Sequence, residues 1–289
     1  MQSFLRFLLY SVALICFGTS TKAQSFSQQE NMTFGSYLIR NDLYKDAITF
    51  LNSKEYKHNK QDPNYLYLKG WAFYNLKQLD SSAIFLEKVP STTEFYHKAR
   101  FFSALSYSHI GSYNSAKEVI TQTNSLTVEL KELASLELAG IALLARDLET
   151  FTKLEQSFTH ENYNLAEHQE TLSKLGKEIT SFKPKSPLLA GTLSAIVPGL
   201  GKIYAGKVGE GISALLTTAI LGVITIENYN KGGAKSAGTI VSGSLFTAAY
   251  AANIYGSVYS VKAYKDDFDK TINYRVLFHI HIPLRNVFN

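Results

Sequence analysis

The C-terminal third of the chain contains a stretch of 26 residues, 236–261, without a single charged side chain. This length is sufficient for a helix that crosses a bilayer with some tilt. From Leu188 to Val261 only six residues are charged, and this part holds twelve of the eighteen glycines in the chain. No soluble surface has this composition, so the 289 residues must combine a soluble part with a membrane part.

A second apolar run precedes this stretch and predicts a transmembrane helical hairpin. It extends from Gly211 to Ile226 and is followed by a polar turn, Glu227 to Ser236. A third run, Leu188 to Leu200, is interrupted at Pro198, and its length falls between the lengths of a spanning helix and a re-entrant one. We therefore expect a membrane domain over residues 188–261 with two membrane segments, or three if the first run also crosses.

A stripe of small residues in the charge-free stretch predicts how the membrane helices pack. Such a stripe lets two helix axes approach closely in lipid. The preceding run carries a second stripe at Ala214, Thr218 and Gly222, which we expect to face the first. The amide of Asn253 is expected to bridge helices. The residues of the first stripe, spaced four apart, are Ser244, Ala248, Ala252 and Gly256.

The N-terminus, residues 1–23, has the three parts of a secretory signal peptide. Arg6 provides the basic start, an apolar run extends from Phe7 to Gly18, and small residues at Thr21 and Ala23 precede the expected cleavage site. An uncleaved membrane anchor is the alternative, although an apolar run of about 12 residues is short for a spanning helix. The only cysteine, Cys16, lies in this segment, so the mature chain has neither a disulfide framework nor a thiol metal site.

Small and aromatic residues recur at similar offsets between residues 30 and 160. The alanines Ala47, Ala83 and Ala116 occupy equivalent positions in three segments and are separated by 36 and 33 residues. In the third and clearest segment, Ala116 is accompanied by Ala104, Tyr107, Gly111 and Tyr113. This period and these positions resemble the tetratricopeptide repeat, whose unit of about 34 residues is a pair of antiparallel helices.

The resemblance implies an all-α solenoid over residues 24–160 with a concave face that binds a protein or peptide partner. Asp42 and Gln78 replace the turn glycine of the first two repeats, and the turn of the second repeat is one residue longer than the pattern. A fourth segment, Leu133 to Phe158, fits loosely and is expected to act as a cap. By offset, the groove positions are Ile39, Arg40, Asn75, Leu76, Leu105, Ser108 and His109.

Two polar segments flank the membrane domain. Residues 161–187 form a connector with the spacing of one amphipathic helix and a hinge, Lys183 to Pro187, in which two prolines favour extended backbone. In the tail, residues 262–289, His279 and His281 alternate with apolar residues, which is typical of a strand or a membrane-surface segment. Two histidines two positions apart do not make a metal site without a third ligand, so we expect no bound metal.

A proline-glycine motif joins the soluble and membrane parts. It resembles the P-G-x-G-x-x-Y-x-G signature of small bacterial membrane domains with two spans, which implies no activity. A phosphate-binding loop would share the pattern G-x-x-x-x-G-K, but Val208 stands where that loop needs a hydroxyl. The residues that carry the resemblance are Pro198, Gly199, Gly201, Tyr204 and Gly206.

Charge and motifs exclude several function classes. The formal net charge is +5, but lysines and arginines are scattered, so we expect no nucleic-acid partner. The sequence contains no nucleophile elbow, zinc-binding helix or cluster of metal-binding carboxylates, so we expect neither enzyme activity nor a cofactor. The sequence predicts a bacterial envelope scaffold or adaptor whose repeats bind a protein or peptide and whose hairpin holds it in the bilayer.

An alternative from another class makes the membrane domain the functional part. The hairpin would then belong to a pore, a transporter or another membrane complex, and the repeats would mediate its assembly. Both hypotheses place the protein in the bacterial inner membrane with the repeats in the periplasm, because the signal peptide directs export. Both are compatible with a homo-oligomer.

Overall fold

The structure is a computed structural model that describes residues 28–53 and 63–288. The model is 80% helical, with thirteen helices and no strand among the described residues, which confirms the predicted all-α class. The chain divides into two compact units with the boundary between Ile110 and Gly111. The predicted signal peptide, residues 1–23, lies outside the described residues.

The first unit contains five helices that pack in sequence order. Aromatic rings fill the space between them: Tyr67 stacks on Phe95 at 4.2 Å between ring centroids, and Trp71 meets Phe102 edge-on at 4.9 Å. Such pairs add to the stabilisation from burial alone. The helices are α1 (Gln28–Arg40), α2 (Tyr44–Leu51), α3 (Pro63–Asn75), α4 (Leu79–Glu87) and α5 (Tyr96–His109).

Left-handed turns mark the repeat in the backbone. Asp42, Lys77, Gly111 and Arg146 have φ between 58° and 79°, and they lie 35, 34 and 35 residues apart. At three of these turns the next amide N–H donates to the carbonyl five residues before it, as in Leu43 to Leu38. This closure satisfies carbonyls at the helix end and reverses the chain within three residues. The turns therefore repeat at the period expected from the sequence.

The turns correct the alignment of the repeats. Lys77 rather than Gln78 adopts the left-handed conformation, so the second repeat has a turn of the same length as the others. The fourth repeat, expected to fit loosely, has the same turn at Arg146. Seven residues before each turn lies a small residue, Gly35, Gly70, Ala104 or Ala139. At Gly70 a Cβ would lie 2.7 Å from Cγ of Leu86, which explains why the position stays small.

The second unit is organised around one buried helix, α7. Ten of its seventeen residues are buried, because α6, α8, α9 and the last helix all pack on it. A helix that is apolar on nearly every face must be enclosed in this way. The first helices of this unit are α6 (Tyr113–Thr121), α7 (Val128–Leu144), α8 (Leu148–Glu155) and α9 (Tyr163–Ser181).

The predicted membrane domain begins with two short helices and continues with one long apolar helix. The helices are α10 (Pro187–Ile196), α11 (Leu200–Tyr204), α12 (Val208–Gly232) and α13 (Ala237–Phe288). Within the described residues, α12 is the one helix that is long and apolar enough to cross a membrane. The first half of α13 carries no charge, but its serines, threonines, tyrosines and Asn253 lower its mean hydropathy. For this reason α13 does not reach the hydropathy of α12.

The last helix, α13, crosses the predicted boundary at residues 261 and 262. It contains 52 residues and is about 78 Å long at 1.5 Å per residue. Its first half packs on α10, α11 and α12, and its second half packs on α7 and α9. The strand alternative predicted for the tail was therefore wrong. The alternation around His279 lies within a helix, and Ile272, Val276, Ile280 and Leu284 are buried along one side of it.

Candidate functional site

The proline-glycine motif forms a tight junction in which two glycines are sterically required. Gly199 has φ 89°, and a Cβ there would lie 2.0 Å from the carbonyl oxygen of Gly211. At Gly201 a Cβ would lie 2.0 Å from the carbonyl oxygen of Ala190. Any side chain at these positions would separate α10, α11 and α12. The motif therefore fixes how the chain folds back between these helices.

Buried polar side chains from α10 and α13 satisfy the backbone of this junction. The amide of Gly201 donates to Oγ of Ser194 (2.9 Å), and this hydroxyl lies 2.7 Å from Oγ of Ser257. The amide of Gly199 donates to Oδ1 of Asn253 at 3.1 Å. Ser194, Asn253 and Ser257 are all buried. Asn253 thus bridges helices as expected, and the two glycine amides are engaged internally, unlike those of a phosphate-binding loop.

The remaining motif residues close the outer side of the junction. The hydroxyl of Tyr204 accepts the backbone N–H of Ser186 at 3.1 Å, just before α10 begins. The ammonium group of Lys185 lies over the rings of Tyr204 and Tyr264, at 5.7 and 4.5 Å from their centroids. Gly206 has φ 95° and ends α11. The hinge that the sequence predicted is thereby attached to both α11 and α13 rather than left free.

The small-residue stripe of α13 lies on a different side from the one predicted. Ser244, Ala248 and Ala252 are exposed, and Lys202 rather than α12 lies over Gly256. The face of α13 that meets Asn228 and Gly222 of α12 is displaced by two residues from this stripe. On that face Asn228 donates to Oγ of Ser242 (3.2 Å), and Phe246 lies against Gly222. The predicted stripe on α12 does face α13, with Thr218 buried.

The predicted groove residues in the first unit fall into two groups. Leu105 and Ser108 are buried in α5, where the hydroxyl of Ser108 donates to the carbonyl of Ala104, so they have no free surface for a partner. The offset slipped there because buried and exposed faces of a helix are separated by a single residue. The others reach the surface: Ile39, Asn75 and Leu76 are partly exposed, and Arg40 and His109 are exposed.

The C-terminal segment of α13, Asp269 to Leu284, lies against α7 and α9. The guanidinium of Arg146 donates to a carboxylate oxygen of Asp269 (2.7 Å) and to the side-chain oxygen of Asn273 (2.9 Å). Farther along, Arg275 pairs with Glu178 of α9 at 2.7 Å. The sequence contained no signal that pointed to these pairs, because their partners are separated by about a hundred residues of chain.

A pair of histidines lies within the same contact. Nδ1 of His168 in α9 is 2.9 Å from Nδ1 of His279 in α13, so one nitrogen donates and the other accepts. Burial lowers the pKa of both imidazoles, and the charge of His168 lowers the pKa of His279 further. Nothing in the sequence had joined His279 to His168. The described residues contain no group of three side chains placed to hold a metal ion.

A buried carboxyl, Glu137, lies in the middle of α7. Its side chain is 0% exposed, and both oxygens lack a hydrogen-bond partner within the described structure. Burial raises the pKa of this carboxyl well above its usual range. Burial therefore favours the protonated, neutral form of this acid.

Comparison of the chain with protein-family models, with curated proteins and with solved structures gives no match. The two resemblances drawn from the sequence therefore rest on the residues of this chain alone.

Proposed function

We propose that the protein is a non-catalytic scaffold or adaptor whose tetratricopeptide-like repeats bind a protein or peptide and whose C-terminal helices anchor it in a membrane. One observation carries the proposal: α13 is a single helix that pairs with the apolar α12 at one end and packs on α7 and α9 at the other. A soluble repeat domain and a membrane hairpin that share one continuous helix belong to a single working unit.

The same helix defines the membrane topology that we propose. If α12 crosses the bilayer and the first half of α13 returns, the turn Gly233 to Ser236 lies on the far side. The second half of α13 then lies on the side of α7 and α9, because it packs on them. Helix α10 has ten residues, about 15 Å, half of what a bilayer core requires, and it ends just before Pro198. We therefore assign α12 and α13 as the two crossings and α10 to the interface.

The predicted signal peptide directs export of the chain that follows it, so we assign the side of α7 and α9 to the periplasm. The distribution of lysines favours the opposite orientation, with the side of α7 and α9 in the cytoplasm. Four lysines lie near the membrane on that side, against two, Lys231 and Lys235, in or beside the far turn. The four are Lys183, Lys185, Lys202 and Lys207. The two rules make opposite predictions, so an experiment on topology separates them.

Cysteine labelling tests the topology directly, because the mature chain contains no cysteine. Single substitutions, Asn286→Cys near the end of α13 and Lys235→Cys in the far turn, are treated in spheroplasts with a membrane-impermeant maleimide. We expect labelling of Asn286→Cys at once and of Lys235→Cys only after permeabilisation. The reverse result would place the repeats in the cytoplasm, and equal labelling of both sites would disprove the hairpin.

The adaptor role is tested with groove variants of the full chain. Arg40→Ala combined with Asn75→Ala removes two exposed or partly exposed side chains at proposed groove positions, and Lys88→Ala, at the exposed residue that follows α4, serves as a control. We expect envelope proteins crosslinked to the wild type to be lost from the groove variant and kept by the control. If substitutions on the exposed face of α12, such as Ile220→Ser, abolish crosslinking while the groove variant keeps it, the membrane-complex alternative is favoured.

A further inference from the structure

We infer that the face formed by α7 and α9 is a binding groove for an amphipathic helix, and that the C-terminal segment of this chain, Asp269 to Leu284, is its resident occupant. The inference rests on the proposed adaptor function and names both the kind of partner and the means of control. A partner helix of the same pattern would compete with the segment for the groove.

The shape of the contact defines the helix that the groove accepts. Ile272, Val276, Ile280 and Leu284 follow one another at four-residue spacing, and each is at most 1% exposed. Ile280 lies directly over Gly140 of α7, where a Cβ would be 2.3 Å from its Cγ2. All three atoms nearest to that position belong to Val276 or Ile280. The glycine is thus a hole that receives one branched aliphatic side chain, which is how helix-in-groove recognition fixes register.

Measured by offset from the left-handed turn, this face of α7 corresponds to the predicted groove side of the earlier repeats. Two residues before their turns, the first three repeats have Arg40, Asn75 and His109, which are polar and at least partly exposed. The fourth repeat has Leu144 at this offset, and it is 4% exposed. Leu144 lies one helical turn from Gly140 on the same side of α7. The sequence of this repeat is therefore adapted to a covered groove, whereas the first three are adapted to water or to a polar partner.

The polar contacts around the segment give it orientation more than strength. The Arg146–Asp269 and Arg275–Glu178 pairs are each between 28% and 42% exposed at the side chain, and pairs exposed to this degree contribute little net stabilisation. They nevertheless set a direction, because an acidic residue must precede the aliphatic stripe and a basic residue must lie within it. A segment held by four aliphatic side chains and weak ion pairs can be displaced by a better ligand of the same pattern.

A peptide-binding assay on full-length protein in nanodiscs tests the inference. The probe is a fluorescent peptide with the sequence of residues 269–288. Ile280→Asp in the protein releases its own segment and leaves α7 and α9 unchanged, while Tyr274→Asp, at a side chain that is 72% exposed, introduces the same charge without disturbing the contact. We expect the Ile280→Asp protein to bind the peptide about tenfold more tightly than the wild type or the Tyr274→Asp protein, since loss of one buried aliphatic side chain is worth about that factor.

Two further variants complete the test. Gly140→Leu in the Ile280→Asp protein fills the hole and should abolish binding, and a peptide that itself carries Ile280→Asp should not bind. Equal binding by the Ile280→Asp and Tyr274→Asp proteins would overturn the inference, provided that hydrogen exchange shows α7 still protected. If Ile280→Asp exposes α7, the milder Ile280→Ala replaces it, because it shortens the buried aliphatic side chain without placing a charge on α7, and binding no tighter than that of the wild type then has the same meaning. The assay requires no native partner, so failure of the adaptor function would be seen separately, in the crosslinking experiment.

Discussion

Replacement of Glu137 by Met should stabilise the second unit. Both carboxyl oxygens are buried without a partner, and an unsatisfied buried polar group costs about 1–3 kcal/mol. Methionine is unbranched, similar in length and free of strong polar atoms, so it removes this cost without creating a cavity. Because about 1.4 kcal/mol corresponds to a factor of ten, hydrogen exchange of α7 amides should slow by roughly 5- to 150-fold in the variant.

The effect should grow with pH, and its sign follows from the pKa. Burial raises the pKa of Glu137 in the folded protein, whereas the unfolded chain releases that proton near the ordinary pKa of 4.5. Stability from this site is therefore complete below about pH 4.5 and declines as the pH rises towards the folded pKa, by about 1.4 kcal/mol per unit. The difference between Glu137→Met and wild type should be smallest in acid and largest in mildly alkaline solution.

Hydrogen exchange of peptides from residues 128–144, measured for both proteins at each pH, checks this prediction. Comparison at equal pH cancels the intrinsic pH dependence of exchange. Glu137→Gln is the control: it cannot ionise but leaves polar atoms unpaired, so it should remove the pH dependence while gaining less stability than Met. A Met variant that exchanges faster than wild type at pH 8, or a difference that does not change with pH, would show that the carboxyl has a partner and would refute the reasoning.

Three further predictions concern the junction and the histidine pair. Gly201→Ala should destabilise the junction between α10, α11 and α12 by about 1–3 kcal/mol or more through overpacking, measured as detergent-dependent unfolding. Gly209→Ala, where a Cβ meets nothing within 4 Å, should be neutral or slightly stabilising; equal effects would contradict the role of the junction. Asn253→Leu leaves the amide of Gly199 without its acceptor and should cost about 1–3 kcal/mol in the same assay, and a neutral result would mean that water replaces the amide. Because the pKa values of His168 and His279 are lowered, their contribution to stability is complete above about pH 6.5 and is lost as the pH falls. The protection factors of residues 269–284, which are corrected for the intrinsic exchange rate at each pH, should therefore fall between pH 7.5 and 5.5 in the wild type and much less in His279→Gln; parallel profiles would exclude the pair as the cause.

Local features of the fold could be predicted from the sequence because they depend on neighbours in the chain. The period of the repeats followed from small residues such as Ala104 and Ala47, which must be small wherever two helices touch. The exact turn residue did not follow, because Lys77 and Gln78 are both polar and only the backbone shows which one has positive φ. One displaced residue was enough to assign the buried Leu105 and Ser108 to a groove.

Contacts between distant parts of the chain were beyond prediction for a different reason. Asn253 was expected to bridge helices, since a lone amide in an apolar helix needs partners, but nothing in its surroundings identified the amide of Gly199 as one of them. The tail was misjudged because alternation over five residues around His279 fits a strand, while the spacing of Ile272, Val276, Ile280 and Leu284 is visible only when α13 is followed as one helix. Glu137 gave no signal, because a single acidic residue in a helix is ordinarily at the surface.

If α12 and the first half of α13 cross a bilayer as proposed, the continuity of α13 links the contact with α7 and α9 to the thickness of that bilayer. A pair of crossing helices that is longer or shorter than the local bilayer adjusts its tilt, and a continuous helix conveys that tilt to its far end. About 30 residues, or 45 Å, separate the middle of the charge-free stretch from Ile280, so a change in tilt of about 10° would move that side chain by about 8 Å if α13 rotated as a rigid rod. Thinning or thickening of the bilayer would then act on the same contact between Ile280 and Gly140 as a competing ligand.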